Sequence, residues 1–288
     1  LNIKAITSRT IKKAEKLAQE FKIPNVCQNI QDMMKNNLDG VLILVSADQI
    51  FEVTKKIINY QIPIFVEKPP GLNLEQAKIL AELSDKKNLL NMVGFNRRYY
   101  SVFHKGIQII KDKGKLLGIS IEGHERLWKI SKTLNDIIRP KWIFANSTHT
   151  LDLFSFFSED DPISDFYLVK DSYKENNGDQ IAVIMKYNSG TIGNYSAHWY
   201  SPGGWSVKLY GEGVTVIFNP LEKGKCIDSN FNEKEILPDQ VDTKYKTGFY
   251  LQMESFKNMI LSGNLKWPGK NLIQSLETMS VASKIIGK

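Results

Sequence analysis

The chain has 288 residues, 42% of them hydrophobic, with 38 basic against 31 acidic side chains and a formal net charge of +7. No apolar run approaches the ~20 residues that span a bilayer, and the first residues have no signal-peptide core, so a cytoplasmic protein without a membrane partner is expected. Its lysines are interleaved with acids rather than gathered in blocks, which reads as a solvated basic surface and not a nucleic-acid footprint. Cys27 and Cys226 are too few and too far apart for a disulfide framework or a metal knuckle.

Taken in chain order, "NIKAIT" is a short apolar strand and "TIKKAEKLAQEF" a helix, with Ile11, Ala14, Leu17, Ala18 and Phe21 at helical spacing. "DGVLILVS" is a near-continuous apolar run of the buried-strand kind, and "DQIFEVTKKIINY" is again helical. "IPIFVEKP" follows as a strand, "NLEQAKILAELSDKKN" as a helix with Asn73 as its N-cap, and "LLNMVGFN" as another strand. Strand and helix alternate with no hairpin signal, which implies right-handed crossovers and a parallel sheet covered on both faces.

Beyond about residue 98 the pattern changes to alternating strands joined by turns such as "YNSG" and "YGEG". The helical stretch "HTLDLFSFFSED" interrupts them, and "GFYLQMESFKNMILSGN" and "KNLIQSLETMSVASKII" are helices near the end. The expected architecture is α/β: a parallel-sheet domain over residues 1–98, then an α+β domain over residues 99–288 with a large open antiparallel sheet. One apolar face of that sheet is left without helices, so a homodimer or homotetramer through it is expected.

In an open parallel sheet, ligands gather at the carboxyl ends of the strands. Four polar loops stand there: "TSRT" with Ser8 and Arg9, "VSAD" with Ser46, "VEKPPG" with Glu67, Lys68 and Pro69, and "GFNRR" with Asn96 and Arg97. Further on, "ANSTHTLDLF" puts His149 at a helix start with Asp152 three residues later. An imidazole exchanges a proton near neutral pH.

A strand ending in Glu-Lys-Pro, a strand leading into "GFNRR" and a later His-x-x-Asp resemble the Gfo/Idh/MocA oxidoreductases, the family of glucose–fructose oxidoreductase and inositol dehydrogenase. The resemblance covers essentially the whole chain. It implies a Rossmann domain followed by an α/β domain, and hydride transfer between a nicotinamide cofactor and a sugar, sugar derivative or cyclitol. It implies Lys68 as the catalytic cation and His149 as base or substrate-binding group. It also implies Asn146, His149 and Asp152 on the substrate, with Ser8, Arg9, Ser46, Glu67, Lys68, Pro69, Asn96 and Arg97 on the cofactor and no metal.

The sequence departs from that family in two places. Where many relatives carry an aspartate four residues before the histidine, this chain has Ala145, followed by Asn146 and Ser147. The family's first strand and glycine-rich turn, which seat a pyrophosphate, do not precede "LNIKAITSRT". The expectation is therefore a fragment, or a late-started reading frame, of an intact enzyme; the alternative is a non-catalytic relative that has lost dinucleotide binding. Without an acidic residue in "TSRT", hydroxyls and a guanidinium favour NADP over NAD.

Overall fold

Short apolar strands alternating with amphipathic helices build the first third of the molecule, and the computed structural model describes residues 1–130 and 132–287. The elements there are β1 (Ala5–Ile6), α1 (Ile11–Phe21), β2 (Asn25–Val26), α2 (Ile30–Met34), β3 (Val41–Ile43), α3 (Ile50–Ile57), β4 (Ile64–Val66), α4 (Leu74–Lys86) and β5 (Asn91–Val93). Helical spacing in α1 turns Ala14 and Ala18 inward, and its chain reverses at Lys22 in the left-handed region, φ 53°. Helix α4 starts as its sequence indicates: the Asn73 side chain accepts from the Gln76 backbone N–H at 2.8 Å. All of Ile64, Phe65 and Val66 are buried, because β4 is covered on both faces.

Parallel pairing is present, but in two sheets rather than one. Strand β1 pairs with β2, and β3, β4 and β5 form a separate sheet in that order.

The rest of the chain runs α5 (Ser101–Lys113), β6 (Leu116–Gly123), α6 (Leu127–Ile130), α7 (Thr148–Phe157), β7 (Ile163–Asp171), β8 (Gln180–Tyr187), β9 (Ile192–His198), β10 (Trp205–Gly211), β11 (Val214–Phe218), β12 (Gly224–Asp228), β13 (Glu233–Ile236), α8 (Gln240–Lys244), α9 (Phe249–Ser262) and α10 (Leu272–Ile286). Its eight strands lie in the order β13-β12-β11-β10-β6-β9-β8-β7. The sheet is mixed rather than wholly antiparallel, since β6 and β9 run parallel. Between those two strands the chain makes α6, α7, β7 and β8, long enough for the crossover that parallel neighbours require. "YGEG" is the tight turn from β10 to β11, with Gly213 at φ +68°.

Burial alternates strictly along β8, where Ile181, Val183, Met185 and Tyr187 point into the core against α7. On the opposite face Tyr167, Val169, Ile184 and Ile192 are exposed. The last two helices reach back to the parallel strands. Phe256 and Met259 of α9 pack on Phe65 and Met92, while Leu272 of α10 lies in the core formed by β3, β4 and β5. Among the described residues no helix is long and apolar enough to cross a membrane.

Candidate active site

Strand β4 ends in Glu67 and Lys68, after which Pro69, Pro70, Gly71 and Leu72 are buried and hold the turn in place. The neighbouring strand end is close. At Gly94, just past β5, a Cβ would stand 3.0 Å from Glu67 Oε2 and 3.2 Å from the Glu67 Cα, so glycine is what lets the two strand ends approach. Burial raises the Glu67 carboxyl above its ordinary range.

The Lys68 ammonium crosses to the other part of the molecule, where its Nζ donates to the Ala145 carbonyl at 2.9 Å. Burial pushes the Lys68 pKa down to about 8, the charges of Glu67 and Glu125 opposing that shift and the Arg97 charge adding to it. Residues 143–147 form a single π-helical turn that runs into α7, and this turn presents both the Ala145 carbonyl and His149 to the same space.

His149 lies in the first turn of α7, its ring 5.8 Å from that of Trp205. The other side of the cluster is Arg97, whose guanidinium carbon sits 4.4 Å from the Trp205 ring centroid. Burial, and then the charges of Lys68, Arg97 and Lys246, hold the imidazole pKa well below its usual value, so His149 is neutral at pH 7. His149 Nδ1 and Arg97 Nε are buried with no hydrogen-bond partner among the described residues. Two such polar atoms beside Lys68 suit a ligand that brings its own polar groups.

Asn146 faces Glu125. Its amide donates to Glu125 Oε2 at 2.6 Å, and the Ser147 hydroxyl donates to Glu125 Oε1 at 3.0 Å. Glu125, between β6 and α6, is only 3% exposed, and burial raises its pKa to about 7. Sequence reading missed this residue. In "EGHERLW" nothing in the spacing sets Glu125 apart from Glu122, which is exposed.

Asp152 points elsewhere. It is 1% exposed, receives Arg98 Nε and Nη2 at 2.6 and 3.1 Å and the Thr278 hydroxyl at 3.1 Å, and neighbours the buried Lys270 ammonium at 3.6 Å. This ionic cluster ties α7 to α10 and to the segment after β5, apart from Lys68 and His149. Asn96 is buried behind the rim, its amide directed at the Thr247 carbonyl.

The remaining rim residues form a second group. Arg9 and Ser46 are exposed and Ser8 is half-buried, at the ends of β1 and β3. Beside them, hydrogen bonds from Gln49 and Ser46 and then the Arg9 charge hold Asp48 below the usual carboxylate range, and Asp48 Oδ1 is buried without a hydrogen-bond partner among the described residues.

Residues 1–95 match the family model described as "Oxidoreductase family, NAD-binding Rossmann fold" and labelled GFO_IDH_MocA. The chain is 22% identical over 263 residues to scyllo-inositol 2-dehydrogenase (NAD(+)) of Bacillus subtilis, covering 87% of this chain and 76% of that protein. A shorter match, 25% identical over 87 residues, is to the myo-inositol dehydrogenase Hyg17 of Streptomyces leeuwenhoekii, and covers 30% of this chain and 27% of the relative. Among solved structures, UDP-N-acetylglucosamine 3-dehydrogenase GnnA of Acidithiobacillus ferrooxidans superposes with a TM-score of 0.80 at 16% identity, over 98% of this chain and 88% of that one. The likeness to GnnA shows a shared fold.

Proposed function

We propose that this chain, whose residues 1–95 match the GFO_IDH_MocA family model, is an oxidoreductase of that family and transfers a hydride between a nicotinamide cofactor and a carbinol or carbonyl carbon of a sugar, sugar derivative or cyclitol. One observation carries the reading: Lys68, His149 and Arg97 meet at one enclosed place, with His149 Nδ1 and Arg97 Nε left for a ligand. The inositol dehydrogenases named above support a polyhydroxylated substrate.

A carbinol carbon gives up a hydride only as its hydroxyl loses a proton, so an oxyanion develops where the bond to hydrogen was. The Lys68 ammonium beside that oxygen stabilises the charge, and a lysine held at about 8 exchanges a proton near working pH. Neutral His149 shares the hydroxyl through a ring nitrogen, and Trp205 offers a flat face to a sugar ring. A bound nicotinamide supplies or takes the hydride. Glu67, Lys68, Pro69 and Arg97 would hold its ring end, with Asn96 buried behind them, and Ser8, Arg9 and Ser46 its adenosine end. The hydroxyls and guanidinium of the second group support NADP over NAD. The open sheet face supports a homodimer or homotetramer, and we assign the protein to the cytoplasm.

The test is turnover of a panel of cyclitols, free sugars and sugar nucleotides with NADP(H) and NAD(H), followed by nicotinamide absorbance. Turnover that Lys68→Ala abolishes supports the proposal; turnover equal in that variant overturns it. An Arg9→Ala variant should lose affinity for NADPH by about 10- to 100-fold and for NADH by much less, as expected for one phosphate contact of about 1.5–3 kcal/mol. Equal losses for the two cofactors would refute the preference.

A further inference from the structure

Glu125 is an ionisable group without a role in the scheme above, and its surroundings are specific. It reaches across from the end of β6 to the π-helical turn before α7, where the Asn146 amide and the Ser147 hydroxyl both donate to it. Lys68 comes to the same turn from the opposite side and donates to the Ala145 carbonyl. Three consecutive residues, 145 to 147, are thus gripped by a carboxylate and an ammonium that belong to different parts of the fold. Ala145 brings no carboxyl of its own.

We propose that Glu125 is the positioning residue of the site: it fixes the turn that receives Lys68, and its negative charge adds to that of Glu67 in favouring the ammonium held there. The inference rests on the function proposed above for Lys68. A buried carboxylate that only braced a turn could be replaced by a neutral amide of the same shape, since Gln still offers an oxygen to Asn146 or Ser147. A carboxylate that sets the charge of Lys68 cannot be so replaced, because removing an opposite charge near a buried ammonium lowers the ammonium pKa further.

Other charged groups converge here. Glu67 and Arg97 face Lys68 beside Glu125; Lys246 faces Glu67 and His149; and the Tyr195 phenol, fully buried on β9, feels the Glu125 charge. Burial is the largest influence on the Glu125 carboxyl, and the hydrogen bonds of Asn146 and Ser147, the nearby Trp142 indole and the Lys68 charge act against it. Glu125 therefore ionises close to neutrality. On its acid side Lys68 keeps Glu67 and loses the second of its two counter-charges, and on its alkaline side both carboxylates face it.

The decisive measurement needs neither cofactor nor turnover. Lys68 is titrated by the pH dependence of its reaction with a lysine-directed acylating reagent, with the labelled peptide quantified by mass spectrometry. Wild type should give a midpoint near the value of about 8 for Lys68. Glu125→Gln should move the midpoint down by about one unit, a tenfold change in equilibrium. Glu125→Asp, which keeps the charge and alters the hydrogen bonds, should stay close to wild type. Circular dichroism identifies variants that do not fold, and the Asp variant serves as the second test if the Gln variant fails. An unchanged midpoint in Glu125→Gln, or an equal shift in Glu125→Asp, overturns the proposal. In steady-state assays Glu125→Gln should lower kcat about twofold at pH 7 and about fivefold at pH 8, the loss of protonated Lys68 that a one-unit shift from about 8 brings, with little change in KM. Loss of activity in Lys68→Ala with no shift in Glu125→Gln would refute the role of Glu125 alone, whereas full activity in Lys68→Ala would refute the function it rests on.

Discussion

The Lys68 ammonium donates to the Ala145 carbonyl at 2.9 Å, joining residues 77 apart in the chain. One comes from the end of a parallel strand, the other from the turn ahead of the helix that carries His149. The bond closes the site between the two parts of the fold.

From that placement Lys68→Ala should lower kcat by about two to four orders of magnitude, the range for loss of an electrostatic stabiliser that also exchanges a proton. Cofactor affinity, read by fluorescence titration, should change by less than about threefold, because the interaction is made mostly in the transition state. Parallel losses in kcat and cofactor affinity would count against this assignment.

Stability should respond to the same residue in a pH-dependent way. The Lys68 pKa is depressed from 10.5 to about 8 in the folded protein, chiefly by burial. A depressed pKa makes a contribution that is present above the unfolded value and lost as pH falls through the folded one. Lys68→Met should therefore raise Tm at pH 6 to 7 and give little gain above pH 10.5. A gain that is the same at both ends of the range would show that the lysine charge is not the cause.

The ionic cluster of Arg98, Asp152 and Lys270 predicts the opposite kind of variant. Removing one partner leaves buried charge uncompensated, at a cost of about 3–5 kcal/mol. Asp152→Asn should lose about that much in denaturant unfolding, since both Arg98 and Lys270 are only 1% exposed. A loss below 1 kcal/mol would mean that Asp160 and Glu277 compensate the two cations by themselves.

On the open face of the large sheet, Tyr167 opposes Ile184 across the β7–β8 pair, Val169 lies next along β7, and Ile192 opposes Lys186 across β8–β9. Val169 is 75% exposed, unusual for an apolar strand residue. The pair of substitutions Val169→Lys and Ile184→Lys should convert an oligomer into a monomer by sedimentation velocity, with the circular dichroism spectrum unchanged. A wild-type chain already monomeric at micromolar concentration would remove the basis for the prediction.

Hydrophobic periodicity determined most of the fold, because strand and helix repeats follow from local geometry alone. The apolar runs ending at Ser46, Lys68 and Asn96, the Asn73 cap and the turns at Gly190 and Gly213 were all legible in this way. So was the rim of polar loops, since parallel strands put their carboxyl ends on one side. The sequence order also made Lys68 and His149 candidates, each from its own short motif.

Only the tertiary structure decided which of those residues meet, since side chains far apart in sequence are brought together by packing that no local repeat encodes. Lys68 finds Ala145, Arg97 finds Trp205, and Glu125 finds Asn146 and Ser147. The same packing takes Asp152 out of the site: His149 and Asp152 are three residues apart on α7, yet Asp152 lies in the ionic cluster with Arg98 and Thr278. Strand pairing is likewise nonlocal, which is why the parallel pairing of β6 with β9 and the division of the parallel strands into two sheets were not visible in the alternation of elements. Burial, finally, sets ionisation. Glu125 is only 3% exposed, and that enclosure, which its residue type does not foretell, raises its pKa to about 7.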